Sequence, residues 1–217
     1  RPIPSGRILP GEALTFGLAC GAIGTICLWF AVNQLTSLLA VATFALYTLV
    51  YTPLKRKTSF CTAIGAIPGA LPPVLGWTAA GGQLDGGAFA LFCLLFLWQF
   101  PHFLAIAWLY REDYSRAGLK MLPSIVQSRQ THHVTGYLAA GYAAALIPAS
   151  LLVREWGLAG SRYAIAAVCL GIGYFLMSLA FARHESRESA RRLLYYSLVY
   201  LPLLLIVLTW DHWSLLR

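Results

Sequence analysis

Long apolar stretches dominate this sequence and limit what the chain can fold into. A bilayer core about 30 Å thick requires about 20 apolar residues in each helix that crosses it. With 59% hydrophobic and 11% charged residues, the chain is also too apolar for a soluble domain of its length. The sequence therefore predicts an all-α, polytopic membrane helical bundle that forms a single domain over residues 1–217. Seven transmembrane helices are predicted, at residues 12–31, 36–53, 60–80, 87–110, 134–153, 162–182 and 193–210.

The lysines and arginines are distributed unevenly between the two sides of this predicted bundle. If the seven helices alternate in direction, 13 of the 16 bases lie on one side, and only Arg154, Arg162 and Arg217 lie on the other. Because positive loops mark the cytoplasmic face, the side with most bases is predicted to face the cytoplasm. The membrane would be a bacterial plasma (inner) membrane, or alternatively a mitochondrial inner membrane, in which case this side faces the matrix. The net charge of +8 thus indicates membrane orientation and contact with anionic lipids of the bilayer, and no nucleic-acid binding is predicted.

The third predicted span contains residues that disturb a regular helix. Pro68, Pro72 and Pro73 interrupt it, and Gly65 and Gly69 allow a neighbouring element to approach closely. A helix broken at membrane depth is tolerated where its backbone is buried or lines a cavity. A simple kink fixed by neighbouring helices is an equally good interpretation.

Three consecutive cations, Lys55, Arg56 and Lys57, stand at the end of the second predicted span, just after Tyr51. Such a triplet is an ordinary determinant of membrane orientation. The alternative is a clamp for a diphosphate, whose negative charge ammonium and guanidinium groups match.

Two adjacent acids, Glu112 and Asp113, follow the fourth predicted span directly. Glu112 and Arg116 are four residues apart, so in a helical turn they can form a surface ion pair of little energetic value. Alternatively, the two acids supply oxygen ligands for Mg²⁺, which keeps most of its waters and binds through one or two carboxylates plus substrate phosphates. Both interpretations stay open at this point.

Gln99 and His102, three residues apart and therefore predicted to share one face, place polar groups inside the fourth span, beside Trp98. Such groups are costly at membrane depth and indicate function, although a histidine bonded to a neighbouring helix backbone is the simpler alternative. If the helix continues to Asp113, the 11 residues from His102 make about 1,100° of rotation and return to within about 20° of the same direction. Both would then face one cavity, roughly 16 Å apart, with an anionic head group at the surface and a large acceptor deeper.

Several segments resemble a known family: RPIPSG, YTPLKRKTSFCTAIGAIPGALPPVLGW and GGQLDGGAFALFCLLFLWQFPHFLAIAWLYREDYSRAGLKML. They are similar to the protohaem IX farnesyltransferases, or haem O synthases, within the UbiA-type intramembrane prenyltransferases. This resemblance implies a Mg²⁺-dependent transfer of a farnesyl group from farnesyl diphosphate to the vinyl group of haem B, with addition of water, to make haem O for terminal oxidases. Haem B is then a substrate rather than a cofactor, and a haem A synthase is a candidate partner.

The resemblance also implies roles for particular residues. The second acidic motif of the family matches Glu112 and Asp113, which hold Mg²⁺ through the diphosphate, and His102 lies in the family's Pro-His-Phe motif as a haem contact. The family's Gly-x-Lys matches Gly118 and Lys120, and its diphosphate-side loop matches Lys55 and Arg56. The predicted catalytic residues are Asp113, Glu112, Lys55, Arg56 and Lys120, and the predicted substrate-binding residues are His102, Gln99, Trp98, Arg116, Tyr51 and Tyr114.

The family has nine membrane helices and two acidic motifs, so the seven spans of this chain would be helices three to nine. Arg1 and Pro2 look like the end of the first acidic motif, which is therefore expected upstream together with two helices. The 217 residues alone are predicted to be inactive. The alternatives are a related enzyme that prenylates a quinone precursor or chlorophyllide, and a non-catalytic membrane haem carrier or small transporter.

Overall fold

A computed structural model describes residues 3, 5–55, 57–119, 122 and 133–217. Within these residues all regular structure is helical. The helices are α1 Pro10–Ala31, α2 Gln34–Ala45, a π-helical segment Leu46–Tyr51, α3 Thr52–Leu54, α4 Cys61–Ala70, α5 Pro72–Ala79, α6 Gly86–Leu109, α7 Arg111–Arg116, α8 Val134–Glu155, α9 Ser161–Arg183 and α10 Arg187–Leu215.

Six helices in the described part of the chain are long and apolar enough to cross a membrane: α1, α2 with its continuation through α3, α6, α8, α9 and α10. The remaining predicted span, residues 60–80, forms the shorter helices α4 and α5, which meet at Leu71. Pro72 and Pro73 carry no N–H and cannot continue the hydrogen-bond ladder of α4. Leu71 nevertheless keeps helical dihedral angles of −77° and −24°, so the interruption lies in the hydrogen bonding and not in a loop.

Helix α6 occupies the centre of the bundle. It packs against α8 and α10 on one side and against α4 and α5 on the other, while α9 packs against α8 and α10. Large aromatic side chains fill the contact between the last three long helices, and Tyr163, Tyr174, Tyr200 and Phe181 are fully buried there. Among the six long helices, α6 is buried to the largest extent. The segment with Glu112 and Asp113 follows it closely in sequence, so α6 positions this acidic segment.

Two remote carboxylates cap the starts of α8 and α9. Glu185 accepts a hydrogen bond from the backbone N–H of Gly136 at 2.8 Å. Asp211, which is buried, accepts from the N–H groups of Gly160 at 2.7 Å and Tyr163 at 3.0 Å. The first N–H groups of a helix have no partner within the helix and favour a negative charge. These side chains therefore satisfy both helix ends and connect segments far apart in sequence.

A polar cluster joins α2 to α5 at the end opposite the acidic loop. Asn33 accepts from Thr36 N at 2.8 Å and donates to Thr78 O at 2.7 Å. The hydroxyls of Thr36 and Thr78 lie 2.8 Å apart, in a buried position. This cluster fixes the wall that α2 and α5 form beside α6.

Candidate functional site

A cavity of about 380 Å³ lies between the π-helical segment, α4, α6 and α7, and we call it the larger cavity. Its size is within the range of small-molecule sites, and its walls combine aromatic rings with few polar groups, as such sites usually do. It is lined by Tyr47, Tyr51, Thr62, Gly65, Gly69, Gln99, Phe103, Leu104, Ile106, Ala107, Tyr114 and Leu122. An extended apolar ligand with a polar end suits this lining.

Two glycines on one face of α4 make room for the side chains that border the larger cavity. A Cβ atom on Gly65 would lie 2.6 Å from Cδ2 of Tyr51, and one on Gly69 would collide with Oε1 of Gln99. Gln99 is buried, and its Nε2 donates to Ala66 O at 2.8 Å. The cavity wall therefore depends on glycine at both positions, as the close approach predicted from the sequence requires.

The π-helical segment places two tyrosines on the larger cavity. The rings of Tyr47 and Tyr51 lie 5.1 Å apart, and both border it. Single π-helical turns occur often at functional sites, where they change the direction of side chains. Lys55 Nζ lies 5.9 Å from the centre of the Tyr51 ring, so this predicted diphosphate residue is adjacent to the cavity.

A cavity of about 180 Å³, the smaller cavity, lies between α7 and the start of α10. Glu112 and Asp113 border it on one side, and Arg187 borders it as the first residue of α10. Arg111 is held in place there, because its Nη1 donates to Trp108 O at 2.9 Å and its guanidinium lies 4.1 Å from the Trp108 ring centre. Carboxylates and guanidinium groups therefore surround one small space.

The two acids keep their carboxylates available. Within the described part of the chain, Asp113 has no side-chain hydrogen bond or ion pair, and Glu112 makes one loose ion pair, with Arg111 at 3.9 Å. The alternative pair of Glu112 with Arg116 is not formed there. Nor does any group of three or more His, Cys, Asp or Glu side chains in that part gather to hold a metal. Two exposed carboxylates with no more than this loose ion pair fit Mg²⁺, which takes its other ligands from water and phosphate.

A break at Tyr110 separates the acids from α6. Helix α6 ends at Leu109, Tyr110 has dihedral angles of −107° and 21°, and α7 begins at the next residue. The prediction that His102 and Asp113 share one direction assumed a continuous helix, and that assumption is wrong. Only a tertiary structure can reveal such a break, since the sequence here contains neither proline nor glycine.

His102 and Gln99 also face different neighbours, so the prediction that they share one cavity face is not met. Gln99 points to α4, whereas His102 Nδ1 lies 2.7 Å from Ser197 Oγ of α10. Trp98 stacks on the His102 ring at 5.1 Å and donates from Nε1 to Ser197 O at 3.1 Å. Residues three apart on a helix differ by about 60° in direction, which suffices to reach different helices. The simpler alternative, a histidine bonded to a neighbouring helix, describes this contact, with a hydroxyl in place of the backbone.

Helix α7 divides the remaining predicted residues between the two cavities. Asp113 borders the smaller cavity, and the next residue, Tyr114, borders the larger one. Arg116 is exposed. Arg56 and Lys120, both predicted to be catalytic, lie outside the described residues.

Sequence reasoning missed several residues of these sites. Tyr47 and Phe103 line the larger cavity, and an aromatic residue in a membrane span carries no signal that separates a cavity from packing. Arg187 was one of many bases on the crowded side, and nothing in the sequence pairs it with the acidic loop. The sequence also contained no sign that Ser197 contacts His102, because the two residues are 95 positions apart.

The model of the UbiA prenyltransferase family matches residues 1–214. A protein of Solibacter usitatus (strain Ellin6076) named protoheme IX farnesyltransferase is 43% identical over 212 residues, which are 98% of this chain and 72% of the relative. A protein of the same name from Sorangium cellulosum (strain So ce56) is 44% identical over 210 residues, or 96% of this chain and 73% of the relative.

A solved structure from work on digeranylgeranylglyceryl phosphate synthase in membranes has a similar fold. Its TM-score is 0.78 at 18% sequence identity, and the match covers 98% of this chain and 73% of that chain. The likeness shows that the two chains share a fold.

Proposed function

The chain belongs to the UbiA prenyltransferase family, and on that premise we propose that it transfers a farnesyl group from farnesyl diphosphate to the vinyl group of haem B, which gives haem O. The name shared by relatives more than 40% identical over nearly the whole chain supports the substrates. The structural observation that carries the reaction type is the pair of exposed carboxylates on α7, placed beside an aromatic-lined apolar cavity. That arrangement suits a molecule with a charged end and a long apolar chain.

The proposed diphosphate site is centred on α7. Glu112 and Asp113 would hold Mg²⁺ through the diphosphate, and the metal would neutralise charge as the allylic C–O bond breaks. Arg111 and Arg187 border the same space, and Lys55 stands over Tyr51 on the other side of α7. These cations would stabilise the departing diphosphate, and Arg111, which Trp108 holds in place, would need little reorganisation to do so.

The larger cavity would hold the isoprenoid chain. Its apolar walls exclude water, which protects the allylic cation from early capture. The electron-rich faces of Tyr47, Tyr51, Phe103 and Tyr114 attract positive charge. The terminal vinyl carbon of haem B would then form the new C–C bond, water would add to the neighbouring vinyl carbon, and one proton from that water would leave with the diphosphate.

We further propose that the acidic and basic loops face the cytoplasm, or the matrix in a mitochondrion, because they carry most of the lysines and arginines. Residues 1–217 would belong to one UbiA-type domain in that membrane. A haem A synthase, which consumes haem O, is the proposed partner.

The test uses the complete natural polypeptide in lipid nanodiscs with farnesyl diphosphate, haem B and Mg²⁺. Mass spectrometry of the extracted haems should find a mass increase that matches a farnesyl group plus a hydroxyl group. Bound haem without any such product would indicate a haem carrier. Unchanged haem together with a prenylated quinone precursor, supplied in a parallel reaction, would assign the enzyme a different acceptor.

Gly65→Ala is expected to reduce farnesyl transfer more than geranyl transfer. The added methyl group would lie 2.6 Å from Cδ2 of Tyr51, so the ring must move and the wall of the larger cavity must change shape. A difference of one methylene in an apolar pocket changes selectivity about 10-fold or more. The ratio of kcat/KM for farnesyl and geranyl diphosphate measures this change.

Gly76→Ala is the matched control, because a Cβ atom on Gly76 of α5 meets no atom within 4 Å. It should leave the ratio unchanged. If Gly65→Ala lowered both kcat/KM values equally, or neither, the larger cavity would not be the site of the isoprenoid chain.

A further inference from the structure

We propose that Ser197 is a positioning residue for the haem acceptor: it holds the proton of His102 on Nδ1 and so leaves Nε2 as a free lone pair for the haem iron. This inference rests on the proposed function, because it takes haem B as the substrate. Ser197 lies on α10, and His102 lies on α6.

The distances among three atoms favour one proton arrangement. Ser197 Oγ lies 2.6 Å from Leu194 O and 2.7 Å from His102 Nδ1. A carbonyl oxygen carries no proton, so two oxygens this close require the serine hydroxyl to donate. A hydroxyl has only one proton, and the same oxygen must therefore accept from Nδ1–H of the histidine. A neutral imidazole protonated on Nδ1 has an unprotonated Nε2.

Neighbouring side chains hold the ring in one orientation. Trp98 stacks on His102 with 5.1 Å between ring centres and 21° between planes. Trp98 Nε1 donates to the backbone oxygen of Ser197, and Tyr174 OH of α9 donates to Trp98 O at 3.0 Å. Three helices thus fix one imidazole. His102 Nε2 has no hydrogen-bond partner within the described part of the chain.

This arrangement is typical of a histidine that binds a metal. Metal-binding histidines use one ring nitrogen for the metal, while a hydrogen bond from the other fixes the tautomer and the ring direction. The iron of a haem substrate has axial positions that an imidazole nitrogen can fill. His102 is half-buried in a membrane helix, so part of its ring stays accessible and hydrated metal ions are scarce around it. Binding the iron would also restrict where the vinyl group lies.

The test measures binding of haem B to the complete natural polypeptide in nanodiscs, without farnesyl diphosphate, by absorption and electron paramagnetic resonance spectroscopy. Wild type should show a histidine-ligated haem. Ser197→Ala should weaken haem affinity about 10-fold and change the ligation spectrum, as loss of a hydrogen-bond partner does at metal sites. Ser197→Thr keeps the hydroxyl and should restore both.

Ser178→Ala is the matched control. Ser178 is a fully buried serine of α9 whose hydroxyl donates to Tyr174 O at 2.9 Å, and among the described residues it has no hydrogen bond to a histidine. Thermal midpoints of both alanine variants separate a loss of packing from a change of ligation. The inference is overturned if Ser197→Ala keeps the wild-type affinity and spectrum, if Ser178→Ala changes them as much, or if wild type shows no histidine ligation.

Farnesyl transfer by wild type is measured in the same preparation. This second measurement distinguishes a failure of the Ser197 proposal from a failure of the proposed function. Histidine-ligated haem without transfer would refute the proposed function and leave only the effect of Ser197 on histidine ligation standing. Transfer by wild type together with an unchanged Ser197→Ala spectrum would refute the role of Ser197 alone.

Discussion

Asp113→Asn is expected to lower the kcat of farnesyl transfer by about 100-fold or more and to leave haem B binding unchanged. Asparagine has nearly the same shape as aspartate and differs in its missing charge. Because the exposed Asp113 side chain makes no hydrogen bond or ion pair within the described part of the chain, neutralising it should cost little in folding. Loss of one group that stabilises developing charge commonly costs about 100- to 1,000-fold in rate. The measurements are kcat against Mg²⁺ concentration and a separate haem titration.

Glu155→Gln provides the control for Asp113→Asn. Glu155 is an exposed acid at the end of α8, on the side of the bundle with few bases, and its neutralisation should leave kcat unchanged. The single variant Glu112→Gln should also reduce kcat, since Glu112 borders the smaller cavity as Asp113 does. An Asp113→Asn enzyme with at least a tenth of wild-type kcat would mean that α7 is an ordinary surface turn and that the metal lies elsewhere.

The membrane architecture could be predicted because it depends on local properties of the sequence. Hydropathy over about 20 residues locates a span whatever its neighbours are, and six long helices were found where apolar stretches predicted them. The prolines after Leu71 indicated the interruption between α4 and α5 for an equally local reason. The acidic segment could be identified for the same reason, since Glu112 and Asp113 are adjacent acids at the end of an apolar span.

The arrangement of the site could not be predicted because it depends on contacts between distant segments. Gln99 and His102 are neighbours in sequence, yet α4 takes one side chain and α10 takes the other. Asp113 and Tyr114 are adjacent on α7, yet they border different cavities, because the elements on the two sides of α7 differ. Periodicity gives the direction of a side chain relative to its own helix, and says nothing about which helix stands opposite.

Asp211 illustrates the same limit and carries the second large prediction. From the sequence it is a lone acid at the end of the last span. In the structure it is buried and accepts hydrogen bonds from the N–H groups of Gly160 and Tyr163, about 50 residues away. Asp211→Ala would leave both N–H groups without a partner at the start of α9. A buried donor left unsatisfied costs about 1 to 3 kcal/mol, so we expect the unfolding free energy to fall by about 2 to 4 kcal/mol.

The thermal midpoint of unfolding in detergent should therefore fall by about 5 °C or more in Asp211→Ala. Asp211→Asn should lose less, because its amide oxygen can still accept from one N–H group. Glu188→Gln is the control: this acid pairs with Arg192 on the surface of α10, where both side chains are at least 70% exposed, and such pairs contribute about 0 to 1 kcal/mol. The cap requires the order wild type, Asn, Ala from highest to lowest midpoint. If Asp211→Ala unfolded at the same temperature as Glu188→Gln, the carboxylate would not stabilise the start of α9. The packing of Tyr163 alone would then hold this helix end in place.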